Sequence, residues 1–160
     1  MRLYFLRHGV AENAAPGQSD ASRKLTDAGR AKMRREAQYL AGLGLKVDAI
    51  FSSPYPRALE TAQIVQEICQ FPPVVQETRI ASGAFGLGVL QEILAENSGL
   101  SNVMFVGHEP DLSEAVQHLC GAVIDMKKGG LAYLQADRAE PNEGVLCWLL
   151  APAAMRVEEE

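Results

Sequence analysis

Cysteine and histidine are scarce, with three of each in 160 residues. Cys69, Cys120 and Cys147 are odd in number, widely separated and set in apolar runs. They fit reduced core thiols, not a disulfide framework or the close-spaced ligands of a structural zinc site. Basic charge is also in deficit: 15 Lys and Arg stand against 20 Asp and Glu, a net charge of −5. The average field of such a surface repels the phosphates of nucleic acid, so any basic site has to be local. The apolar run in MRLYFLRHG is too short for a signal peptide or a membrane-spanning helix. No Gly-rich Lys-Ser/Thr phosphate loop occurs, and no Asp/Glu/His grouping has metal-ligand spacing. The expectation is a soluble cytoplasmic protein with no metal, no cofactor, and neither nucleic acid nor membrane as partner.

With 48% hydrophobic and 22% charged residues, the chain can bury one ordinary core, expected over residues 1–157, with 158–160 as a disordered acidic tail. Leu3-Tyr4-Phe5-Leu6 has the near-continuous apolar character of a central strand covered on both faces. Residues 13–24 read as a surface loop. Thr26 then N-caps a helix whose buried stripe is Met33, Ala37, Leu40 and Ala41, with Arg30, Lys32, Arg34, Arg35 and Glu36 as its solvated face. Gly42 and Gly44 end it. Residues 48–52 read as a second strand, Ser53-Pro54 as the start of a helix carrying Arg57 through Gln70, and 74–76 as a weak strand. A Gly-rich stretch precedes a helix that buries Val89, Leu90, Ile93 and Leu94. Residues 102–106 form the clearest buried strand, and Asp111-Leu112-Ser113-Glu114 has the spacing of a capping box for a helix running to Gly121. Residues 131–135 and 145–150 are the last β segments. Strands alternating with helices argue for an α/β fold with helices on both faces of the sheet, where ligands sit beyond the carboxyl ends of the strands. His8 and His108 both fall at such ends.

Arg7-His8-Gly9 sets a permanent cation beside an imidazole, with a glycine that lets the backbone approach a ligand. Alone the tripeptide means little, since a lone histidine is more often a hydrogen-bonded structural residue. Ser52-Ser53-Pro54-Tyr55-Pro56-Arg57 adds a second arginine at a strand-to-helix turn, where backbone N–H groups and the helix dipole favour an anion. Val106-Gly107-His108-Glu109-Pro110 repeats the order of strand, glycine and histidine. Together the three segments outline a site for a phosphoryl group.

Through Arg7-His8-Gly9, Ser52-Ser53-Pro54 with Arg57, and Gly107-His108, in that order, the sequence resembles the histidine phosphatase superfamily, also called phosphoglycerate mutase-like. Residues 23–29 (RKLTDAG), Gly107-His108-Glu109-Pro110 and Met126-Lys127-Lys128-Gly129-Gly130 extend the likeness over most of the chain. They point to the short SixA-type phosphohistidine phosphatases, which lack the helical insertions of larger members. The resemblance implies a three-layer sandwich around a mostly parallel central sheet, without such insertions. It also implies a metal-independent phosphatase whose nucleophile is His8 and whose phosphoryl group is held by Arg7, Arg57, His108 and Gly9, with Arg23 as a further donor. An imidazole of pKa about 6.5 has a lone pair available at neutral pH, as such chemistry requires. The substrate implied is a phosphohistidine on a phosphotransfer protein, in signal transduction. Larger members protonate an alcohol leaving group with a carboxylate. The corresponding position here is Glu77, which reads either as that acid or as a surface residue, and a leaving imidazole needs such an acid less. Two other functions stay open: a phosphatase of small phosphate esters, and a non-catalytic phospholigand-binding module. Lys127 and Lys128 read equally as substrate-facing or solvated, and His118 as structural or exposed.

Overall fold

Six strands form one sheet in the order β3-β2-β4-β1-β5-β6. They are β1 (Arg2–Arg7), β2 (Ala49–Ser52), β3 (Val74–Gln76), β4 (Asn102–Gly107), β5 (Leu131–Gln135) and β6 (Val145–Leu150). The computed structural model describes residues 1–156, so the expected acidic tail at 158–160 lies outside the described residues. The first four strands run parallel, and only β5 runs against them.

Alternation along β1 explains the layering, because successive side chains of a strand point to opposite faces. Tyr4 and Leu6 join Met104, Val106, Ile50, Met33, Leu40, Ala58 and Val65 on one face, which is covered by α1 (Asp27–Gly42) and α2 (Pro56–Cys69). Leu3 and Phe5 join Val103, Phe105, Leu90, Ile93, Leu112 and Val116 on the other, covered by α3 (Leu87–Glu96) and α4 (Asp111–Cys120). The result is the expected three-layer arrangement, with six strands flanked by four helices among the described residues. No helix among the described residues is long and apolar enough to cross a membrane.

Local signals set most boundaries. Thr26 Oγ1 accepts from Gly29 N at 2.8 Å, capping α1. Gly29 has to be glycine because a Cβ there would meet the Val10 carbonyl. Three expectations fail. Ala41 is exposed, whereas Glu36 is buried, 2% accessible. The spacing 33, 36, 37, 40 is itself a helical stripe, and the helix keeps Glu36 on it despite its charge. Asp111 caps nothing; it is the first residue of α4, and its carboxylate accepts from Gly83 N at 2.8 Å. Glu109 Oε1 instead accepts from Ser113 N at 3.0 Å.

Candidate active site at the carboxyl edge of the sheet

Register brings the two site histidines together. Arg7 pairs with Gly107 as the last residues of adjacent parallel strands, so His8 and His108 emerge side by side from the same edge. His8 N donates to Gly107 O at 3.1 Å, and the two ring centroids are 5.3 Å apart. On the other side of β4, Ser53 N donates to Val106 O at 3.0 Å, which sets the turn into α2 at the same edge. Arg57, in the first turn of α2, reaches back until its Nε lies 3.4 Å from His8 Nε2. The Lys127–Gly130 turn closes the far side: Gly129 N donates to Arg7 O and His8 O at 3.1 and 3.0 Å, and Gly130 O accepts from Arg7 N at 3.0 Å.

The hydrogen bonds of His8 identify its tautomer. Nδ1 lies 2.7 Å from the Gly9 carbonyl oxygen, which can only accept, so Nδ1 carries the hydrogen and Nε2 the lone pair. Arg57 Nε–H points at that lone pair. The ring is 5% accessible. Burial pushes its pKa down to about 4, and the charges of Arg57, Arg7 and Lys128 act in the same direction. At neutral pH His8 is therefore uncharged, its lone pair set among cations.

His108 is neutral for a similar reason: burial first, then the neighbouring His8 and Arg57, lower it to about 3. Its Nε2 lies 2.7 Å from Ser53 Oγ. That hydroxyl also accepts from Tyr55 N at 3.2 Å, and in the tautomer to which it donates at Nε2 the ring hydrogen sits on Nδ1. His108 Nδ1, Arg7 Nε and Arg23 Nε are buried without a hydrogen-bond partner among the described residues. Buried polar atoms are normally satisfied, and unpartnered nitrogens on Arg7, Arg23 and His108 suit the oxygens of a phosphoryl group. Arg7 is held from its other end, Nη1 donating to Met126 O at 2.8 Å.

The remaining expected residues divide. Gly9 lies at the site, but its N–H donates to Thr61 Oγ1 at 3.1 Å and is not available to a phosphoryl group. Glycine is needed there because a Cβ would press on Met33. Arg23 lies beside Asp20, Nε to Oδ1 3.4 Å. Glu77 stands at the correct edge, its N–H donating to Ser52 O at 2.8 Å, but its carboxylate accepts from Arg79 N, Nε and Nη2 at 3.0, 2.9 and 2.8 Å. Those bonds hold Glu77 below its ordinary pKa, and an ionised carboxylate has no proton to give as a general acid. Lys127 pairs with Asp125 at 2.6 Å, and both Lys127 and Lys128 are exposed, as is His118. Among the described residues no cluster of three or more His, Cys, Asp or Glu could hold a metal ion.

Sequence reasoning missed three contributors. Thr61 donates to Arg57 O at 2.8 Å while accepting from Gly9 N, tying α2 to the end of β1. Its place one helical turn after Arg57 was a usable signal. Ser53 lay inside a recognised motif, but nothing marked its hydroxyl as the partner of His108. Asp20 lay in a segment read only as loop. It accepts from Arg57 twice, Nη1 to its carbonyl at 2.7 Å and Nη2 to Oδ2 at 3.0 Å. Partial desolvation works against its ionised form, but the charge and hydrogen bond of Arg57, with help from Arg23, outweigh it and lower the pKa.

Several known proteins are similar to this chain. Residues 3–87 match the family model of the histidine phosphatase superfamily (branch 1). An uncharacterized protein of Picosynechococcus is 35% identical over 147 residues, 87% of each chain. Phosphohistidine phosphatase SixA of Escherichia coli is 24% identical over 159 residues, 98% of each chain. The structure of the protein histidine phosphatase SixA complexed with tungstate has the same fold, with a TM-score of 0.86 at 24% identity over 98% of this chain and 100% of that one.

Proposed function

The chain belongs to the histidine phosphatase superfamily and is a phosphatase, and from that premise we propose that it removes the phosphoryl group of phosphohistidine from a phosphotransfer protein by way of a phosphate carried on His8. In the first step His8 Nε2 bonds to phosphorus as the phosphorus–nitrogen bond of the substrate breaks. The bonding pair goes to the substrate ring, whose proton on the other nitrogen lets it leave as neutral imidazole. In the second step water bonds to phosphorus, and the pair of the P–Nε2 bond returns to His8. Both water protons go to phosphate or solvent. The Gly9 carbonyl keeps Nδ1 protonated throughout, so His8 is released neutral and ready for another turnover. Arg7, Arg57 and the Nδ1–H of His108 stabilise the equatorial oxygens as charge develops, with Arg23 alongside.

The observation that carries this reading is the lone pair of His8 Nε2 facing Arg57 Nε, with buried donors of Arg7 and His108 beside it. The choice of an N–P substrate is supported by Glu77, whose capture by Arg79 leaves no acid there for an alkoxide leaving group. A cytoplasmic location follows for such a substrate, and all three cysteines are unpaired. The test is metal-free phosphate release from a phosphohistidine-bearing protein domain and from p-nitrophenyl phosphate, by wild type and His8→Ala. Rapid, His8-dependent release from the protein domain is expected. Preference for the ester would make the chain a small-molecule phosphatase, and phosphate binding without turnover would make it a binding module.

A further inference from the structure

Asp20 places a carboxylate of the chain itself between the two arginines expected to receive substrate. Oδ2 accepts from Arg57 Nη2 at 3.0 Å, Oδ1 lies 3.4 Å from Arg23 Nε, and the Asp20 carbonyl takes Arg57 Nη1 at 2.7 Å. The two kinds of contact do different work. The main-chain bond fixes the far end of the guanidinium and is indifferent to the side chain. The carboxylate occupies Nη2, which lies on the same edge of the guanidinium as the Nε–H that faces His8, and two parallel N–H donors on one edge are what a phosphoryl group takes. The Arg57 side chain is 4% accessible and the Asp20 side chain 65%. The arginine is fixed, and the carboxylate is free to swing into solvent.

We propose that Asp20 is an internal competitor for the phosphoryl site, displaced on binding, and that it keeps released phosphate from holding the site. Every phosphoryl ligand has to displace the same carboxylate, so the cost falls equally on substrate and on free phosphate. Asp20 therefore weakens substrate and product binding alike and leaves the preference between substrates unchanged. The proposal rests on the reading of this edge as a phosphatase site.

The test is binding of inorganic phosphate and orthovanadate by calorimetry, with steady-state kinetics on p-nitrophenyl phosphate and a phosphohistidine domain, for wild type, Asp20→Asn, Asp20→Ala and Asp20→Glu. The neutral variants are expected to bind phosphate about tenfold more tightly, with KM for the ester falling by a similar factor and kcat changing little. kcat/KM rises by a similar factor for the protein domain, so the ratio between the two substrates stays where it is. Asp20→Glu, which keeps the charge, shows no such tightening. A structural or positioning role predicts the opposite sign. Unchanged or weaker phosphate binding in both neutral variants would overturn the proposal, and so would a gain confined to one of the two substrates. Absence of phosphate binding and turnover in wild type would instead refute the phosphatase reading, whatever Asp20 does.

Discussion

The Lys127–Gly130 turn separates two regions that both hold buried polar atoms without protein partners among the described residues. On one side are Arg7 Nε and His108 Nδ1, near the His8 lone pair that faces Arg57 Nε; on the other are the two carboxyl oxygens of Glu36, against which a Cβ at Gly129 would clash. The first group is complementary: a lone pair on His8 next to the guanidinium of Arg57, with the His108 ring 5.3 Å away. The second faces no complementary group, and burial raises Glu36 to about 7 against the lesser pull of Lys32 and Arg35. Unsatisfied polar atoms indicate chemistry when they are mutually complementary, and a cost in stability when they are not. Substitutions on the first side should cost activity more than stability, and on the second side the reverse.

The largest effect is expected from Arg57→Ala, which removes the buried donor facing His8 Nε2. Turnover of phosphohistidine should fall about 10²- to 10³-fold, as for loss of one preorganised charge-stabilising donor, with secondary structure retained by circular dichroism. A loss below fivefold would detach Arg57 from the chemistry. Ser53→Ala tests a finer point, since it removes the hydroxyl hydrogen-bonded to His108 Nε2. About a tenfold loss in kcat is expected, with recovery in Ser53→Thr.

The pH profile sharpens the same contrast. His8 titrates near 4 in the folded chain, so the acid limb of kcat/KM should stay flat well below the ordinary imidazole value of 6.5 and fall only near pH 4. A limb centred at 6.5 would contradict the burial argument. On the other side of the turn, Glu36→Met should leave turnover nearly unchanged and stabilise the fold at pH 8 by about 1–3 kcal/mol. The sign follows from proton binding. Folded Glu36 holds its proton to about 7, whereas the unfolded chain loses it near 4.5. Wild type therefore loses stability between those values as pH rises. His8 and His108, both lowered by burial, contribute the opposite slope, adding stability as pH rises towards 6.5. The gain from Glu36→Met, measured as the difference in denaturant midpoint energies, should be smaller at pH 5 than at pH 8. A gain independent of pH would remove the charge of Glu36 from the explanation.

Much of this could be read before the fold was known, for particular reasons. Apolar runs of four or five residues identified β1 and β4, and both ended on a histidine motif, so the sheet edge and the site were legible together. The 100-residue separation of His8 and His108 hid only their register. Glu36 was misplaced because charge was weighed above the 33-36-37-40 periodicity. The Asp111 spacing matched a capping box, but the carboxylate turned to the Gly83 amide, a tertiary partner that no local pattern contains. Asp20 was illegible because a loop residue acquires meaning only when another element, here α2, brings a guanidinium to it.

The most direct test of the central claim is to quench the reaction with a labelled phosphohistidine domain within milliseconds and locate phosphate on the protein. Acid-labile phosphate on Nε2 of His8, absent from His8→Ala and discharged by water, is the predicted result. Turnover at the full rate in His8→Ala, or phosphate carried on His108 or a carboxylate, would contradict it.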